Sequence, residues 1–136
     1  MELKRNLIIF ILCIVVSILV DVPYLYLNAD LFKKKTMQIS GMEYPKNRYY
    51  SALIIYIFIA IGISVFILPK IDTTKSTMVR LRDCLIYGGL FGMVAYSMFD
   101  FTAHFMFKQW DIYISIMDTI WGGLLFTITS FIISYY

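Results

Sequence analysis

The sequence predicts an all-α integral membrane protein, a single domain of four transmembrane helices bundled together with both termini on the same side of the bilayer. Two observations carry this prediction. The 136-residue chain is 60% hydrophobic with a mean hydropathy of +0.76, whereas soluble domains are about 45–50% apolar. Its apolar residues also fall into four stretches of roughly 20 residues or more, the length needed to cross a ~30 Å hydrocarbon core. No length remains for a soluble catalytic module, so any chemistry is expected in the membrane or in the connections.

Charge and cysteine content narrow the function classes. Lys and Arg number 12 against 9 Asp and Glu, a net charge of +3. The basic residues sit mostly in the connections, where they set orientation and meet anionic lipid headgroups. Membrane lipid is therefore the expected partner, and nucleic acid is not. Cys13 and Cys84 lie in or beside apolar runs without metal-ligand spacing, so no disulfide framework is expected.

Helices are expected at about residues 7–27, 49–68, 84–107 and 111–136. The first begins after Lys4 and Arg5 like a secretory signal, but no small-residue cleavage site follows, and the reading is a retained helix. Pro23 withholds a backbone donor and predicts a kink near Asp21. Between the first two helices, Lys33, Lys34, Lys35, Lys46 and Arg48 mix with Leu31, Phe32, Met37 and Ile39 around Gly41 and Pro45. That segment reads either as an interfacial amphipathic stretch or as a solvated basic loop. The second helix closes at Pro69 and Lys70, and a polar connection leads to the third. Gly88 and Gly92 in the third helix form a small-x-x-x-small pair suited to close helix packing, and Gly122 marks a matching seam in the fourth. Because neither GxGxxG nor GxxxxGK[ST] occurs, the glycines are read as packing and not as a nucleotide site.

Four spans place Lys4, Arg5, Lys70, Lys75, Arg80 and Arg82 on the terminal side and Lys33, Lys34, Lys35, Lys46, Arg48 and Lys108 on the other. The two sides balance. The charges directly before the first helix point to cytoplasmic termini.

Ionisable residues inside the apolar runs are the candidate site. A charged side chain at the bilayer centre costs about 2.5–3.5 kcal/mol on insertion scales, so such residues face the bundle interior and mark function by default. Counting inward from the expected helix ends at 1.5 Å per residue puts Asp21, Tyr56, Asp100 and Asp118 each roughly 10 Å deep on the side of the first and third connections. Thr102 and Trp121 accompany them, and His104 lies one turn nearer the surface. Three carboxylates gathered in low dielectric cannot all stay ionised without a partner, so the layer is expected to hold a proton or a monovalent or divalent cation.

Three functional readings follow. Acidic chains with His mark proton relays and ion pathways, which gives a small transporter-like or proton- or cation-coupled protein, with a homo-oligomer supplying a pathway that four short helices lack. Asp21, Asp100, His104 and Asp118 together form a candidate ligand set for a divalent metal that activates water against membrane lipid. Buried aspartates also cross-link helices through Tyr, Trp, Ser or Thr donors, which gives a structural or accessory subunit without chemistry. Signatures of other enzymes are missing: no GxSxG elbow, no HExxH, and a lone His. The enzyme reading thus rests on the acidic layer alone.

The run Gly89-Leu-Phe-Gly-Met-Val-Ala-Tyr-Ser-Met-Phe-Asp-Phe-Thr102, with Trp110 and then Asp118-Thr-Ile-Trp-Gly122, resembles the small four-span membrane proteins of the domain-of-unknown-function 2177 family. The likeness extends to Asp21-Val-Pro-Tyr-Leu25 and to Tyr56, Gly62, Phe66 and Pro69. Ala103 stands where the family pattern has Asn, and Phe99 where it has Tyr. The resemblance implies the four-span fold and makes the aspartates the shared feature, but it carries no assigned activity.

Overall fold

The computed structural model describes residues 1–136, apart from the side chain of Lys46, which lies outside the described residues. Four helices are long and apolar enough to span a membrane: α1 (Glu2–Ser40), α2 (Tyr49–Lys70), α3 (Thr77–Met106) and α4 (Ile112–Ile133). The chain is an all-α four-span bundle with its termini on one side.

The largest departure from expectation is α1. It continues through Asn28 to Ser40 as one helix and runs unbroken across Pro23. At 39 residues it is about 58 Å long, so it projects well beyond a ~30 Å core. Neither a solvated loop nor a separate interfacial segment follows Leu27. The basic triplet Lys33 to Lys35 belongs to α1 itself. What ends the helix is Gly41, whose left-handed φ of 69° lets its N–H return 2.9 Å to the Met37 carbonyl.

The projecting part of α1 is held by the hairpin that joins α3 to α4. Leu31, Phe32 and Ile39 pack on Ala103, Trp110 and Ile114. Lys35, itself buried, pairs with Asp111 at 2.6 Å and donates to the Gln109 carbonyl at 2.9 Å. Asp111 precedes the first residue of α4, and its carboxylate serves this ion pair instead of capping the helix.

Two helices contain wide π turns, Gly62–Ile67 in α2 and Cys84–Gly89 in α3. An i→i+5 turn inserts a residue and re-aims the face that follows. The two turns meet each other and α4 in the terminal-side half of the bundle. At the other end of the second connection, Ser76 accepts from the Val79 N–H and starts α3 earlier than expected, at Thr77.

The helix α4 is the axis of the bundle, with α1, α2 and α3 all packed on it. Its buried face alternates small and hydroxyl-bearing residues, Ser115, Gly122, Gly123, Thr127, Thr129 and Ser130, with Leu125 and Phe126. Of the four spans α4 is the most buried, and α1, as apolar as any, is the least. That is the membrane logic: lipid is as apolar as leucine, so the inner seam is chosen for close backbone approach and the outer faces for oil. Gly92 and Gly122 show it best, because a Cβ on Gly122 would lie 2.8 Å from the Gly92 carbonyl oxygen. The Gly88 and Gly92 face is consumed inside the bundle against α4 and is not free for a second copy of the chain. Cys13 and Cys84 are buried free thiols.

Candidate functional site

Asp21 is the best-satisfied carboxylate inside the bundle. It comes from α1, is 6% exposed, and accepts from Tyr56 Oη of α2 at 2.8 Å and from Trp121 Nε1 of α4 at 2.7 Å. One oxygen serves each donor. Three helices are tied at a single side chain, and charge-assisted bonds of this kind are about twice as strong as neutral ones.

Asp100 is the opposite case. It is 0% exposed on α3, and neither carboxyl oxygen has a donor. The group facing it within hydrogen-bonding reach is a second carboxyl, that of Asp118 on α4. Asp118 is half-buried and accepts from Tyr24 Oη of α1 at 2.7 Å. The Asp100 backbone is fixed as well, since its carbonyl accepts from Ser115 Oγ at 2.9 Å, and Ser115 Oγ accepts from Trp110 Nε1 at 3.1 Å. Trp110 is accordingly buried beside the site, at 8% exposure.

The two carboxylate sites touch through aromatic rings. Tyr24, the donor to Asp118, stacks on Trp121, the donor to Asp21, with centroids 4.4 Å apart and planes 7° from parallel. Tyr96 packs its ring against Gly122, on the α3 face that carries Asp100 one turn on.

Of the residues singled out from sequence, Asp21, Tyr56 and Trp121 converge on one side of this assembly, and Asp100 and Asp118 on the other. Thr102 does not join them. Two residues beyond Asp100 is more than half a helical turn, which swings Thr102 onto the exposed face of α3. His104 is on the correct face but one turn farther out, where its side chain is exposed and Nδ1 lies 2.8 Å from the Trp110 carbonyl. A carbonyl only accepts, so Nδ1 carries the proton there. The proposed metal set of Asp21, Asp100, His104 and Asp118 is therefore not assembled, and among the described residues no group of three His, Cys, Asp or Glu gathers in metal-binding geometry. The physical reason is prior engagement: Tyr56 and Trp121 occupy both Asp21 oxygens, and Trp110 occupies His104.

Tyr24 and Tyr96, which the sequence offers only as possible hydrogen-bonding partners of the aspartates, also belong to the assembly. The signal was present in their spacing. Tyr24 follows Asp21 by three residues, and Tyr96 precedes Asp100 by four, so each shares a helix face with an aspartate.

A family model described as predicted membrane protein (DUF2177) matches residues 6–135. The chain belongs to this family. No curated protein and no solved structure matches it. Membership accounts for the multi-pass architecture and leaves the chemistry to be argued from the carboxylates themselves.

Proposed function

We propose that this DUF2177 member is a small transporter-like, proton-coupled membrane protein whose Asp100–Asp118 pair holds one exchangeable proton. The observation that supports this reading is the Asp100 carboxyl, fully buried, without a donor on either oxygen, and facing a second carboxyl. Two adjacent carboxylates in a dry interior repel each other and have lost their hydration. A single proton between them removes one charge and supplies the missing hydrogen bond. The charge that remains is met by the Tyr24 hydroxyl on Asp118.

A proton fits this geometry better than a divalent metal. Calcium takes six to eight oxygen ligands and magnesium an octahedron. The carboxylate nearest the pair, Asp21, has both oxygens committed. The pair is also connected to helix packing. Loss of its proton leaves two charges competing for Tyr24, and a shift of Tyr24 disturbs its stack on Trp121 and hence the Asp21 tie to α2. Proton occupancy is in this way linked to all four helices, which is what a proton-coupled conformational change requires.

The test uses the full chain reconstituted in liposomes. Infrared difference spectra across a pH titration are expected to show a protonated carboxyl C=O band that vanishes in Asp100→Asn. Dissipation of an imposed pH gradient is expected to exceed that of empty liposomes and to fall back to it in the same variant. A wild-type chain with neither the band nor the flux overturns the proposal.

A further inference from the structure

At the terminal-side end of the bundle, away from the carboxylates, the ends of all four helices surround a cavity of about 680 Å³. Its basic groups are Arg5 of α1 and Arg80 of α3, and its lining mixes polar groups with the apolar side chains of Ile9, Leu68 and Ile133. We infer that this cavity binds the phosphate of an anionic membrane lipid, with the two guanidinium groups on the headgroup and the acyl chains along the exposed apolar side chains of α1.

Arg80 is built for such a role. Its Nη2 donates to the Thr73 carbonyl at 2.6 Å, its Nη1 to the Ser134 carbonyl at 3.3 Å, and its guanidinium lies 4.3 Å from the centroid of the Tyr135 ring. These contacts fix the plane of the group and neutralise none of its charge. The Nε is sealed from solvent without any partner. Neither of the two ion pairs among the described residues includes Arg5 or Arg80. Of the aspartates near Arg80 in sequence, Asp83 is engaged by Arg82 at 2.9 Å and Asp72 by the Thr74 N–H at 3.0 Å. A partly buried guanidinium in no ion pair lacks a counter-charge, and its planar fork matches phosphate oxygens.

Position selects a lipid as the source of that phosphate. Arg5 stands at the head of the apolar run of α1, beside the exposed Leu7, Ile8 and Ile11. Basic pockets between transmembrane helices at the interface hold acidic headgroups in this way.

The experiment is native mass spectrometry of the full chain released from vesicles of equal phosphatidylglycerol and phosphatidylcholine. The expected result is preferential retention of phosphatidylglycerol, reduced about fivefold in Arg5→Gln and unchanged in Lys33→Gln at the opposite end. Because Arg80 also braces two carbonyls, Arg80→Lys is used to keep the charge while removing the fork, and it is expected to weaken retention with circular dichroism unchanged. Equal retention of both lipids, or unchanged retention in both arginine variants, overturns the inference. Binding of millimolar inorganic phosphate by the lipid-free chain without preference for phosphatidylglycerol overturns the lipid assignment.

Discussion

Asp21 and Asp100 are the same side chain, buried to nearly the same extent within one bundle, and they are solved in opposite ways. Asp21 has a phenol and an indole aimed at its two oxygens, whereas Asp100 has no donor and faces another carboxyl. A carboxyl with a fixed donor on each oxygen is fully satisfied and serves as a cross-link. A carboxylate facing a carboxyl is stable only while a proton is shared, and that proton can leave. On the proposed reading, the difference separates a structural aspartate from a working one, although both are ionisable groups inside the bundle.

The largest expected effect that tests this separation is in Asp100→Asn. The amide supplies a donor toward Asp118 where the proton stood, so folded yield is expected to stay near wild type while proton flux drops at least tenfold, read by a pH-sensitive dye in liposomes. If flux survives, the pair is not the working site. Asp21→Asn is expected to do the reverse. One acceptor becomes an NH₂ facing a donor, a loss of about 1–3 kcal/mol, measured by denaturant titration in detergent, with the pH dependence of any surviving flux unchanged. A normal fold together with a lost flux would merge the two sites into one.

A smaller effect is expected from the donors. Tyr56→Phe removes one of the two bonds to Asp21 and is expected to cost about 1–2 kcal/mol without altering the pH profile of flux. Tyr24→Phe removes the donor to Asp118 and is expected to move that profile with a comparable or smaller cost in stability. Equal pH profiles in the two variants would show that Tyr24 does not serve the pair.

Much of this was legible in the residues. Apolar length and the scarcity of interior charge gave the four spans, and the glycine spacing gave the α3–α4 seam, because both follow from what lipid tolerates. The aspartates stood out for the same reason. The end of α1 was not legible, since the lysine triplet reads as a membrane boundary while helix propensity and the Lys35–Asp111 pair carry the helix on to Gly41. The depth count for Asp21 therefore started from the wrong helix end. Hydrogen bonds across helices, not distance from a terminus, bring Asp21 to the level of Tyr56 and Trp121. The placement of Thr102 and Trp110 depended on helix phase and on one side-chain bond, Trp110 to Ser115 five residues on. Composition encodes neither.

The smallest effect is expected at a third aspartate, which separates donor count from burial. Asp72 in the connection between α2 and α3 accepts from both the N–H and the hydroxyl of Thr74, so by donor number it matches Asp21, but it is fully exposed. Those bonds hold its carboxyl below the usual carboxylate range. The order it lends the turn is therefore present above the unfolded carboxylate value of about 3.9 and fades as pH falls through the lower folded value. Water competes for both partners throughout, so Asp72→Asn is expected to leave stability at neutral pH unchanged in the same denaturant titration that reports a loss for Asp21→Asn. A loss as large as that of Asp21→Asn would mean that donors alone, without burial, make an aspartate structural in this chain, and the contrast between Asp21 and Asp100 would then rest on hydrogen bonding and not on the membrane interior.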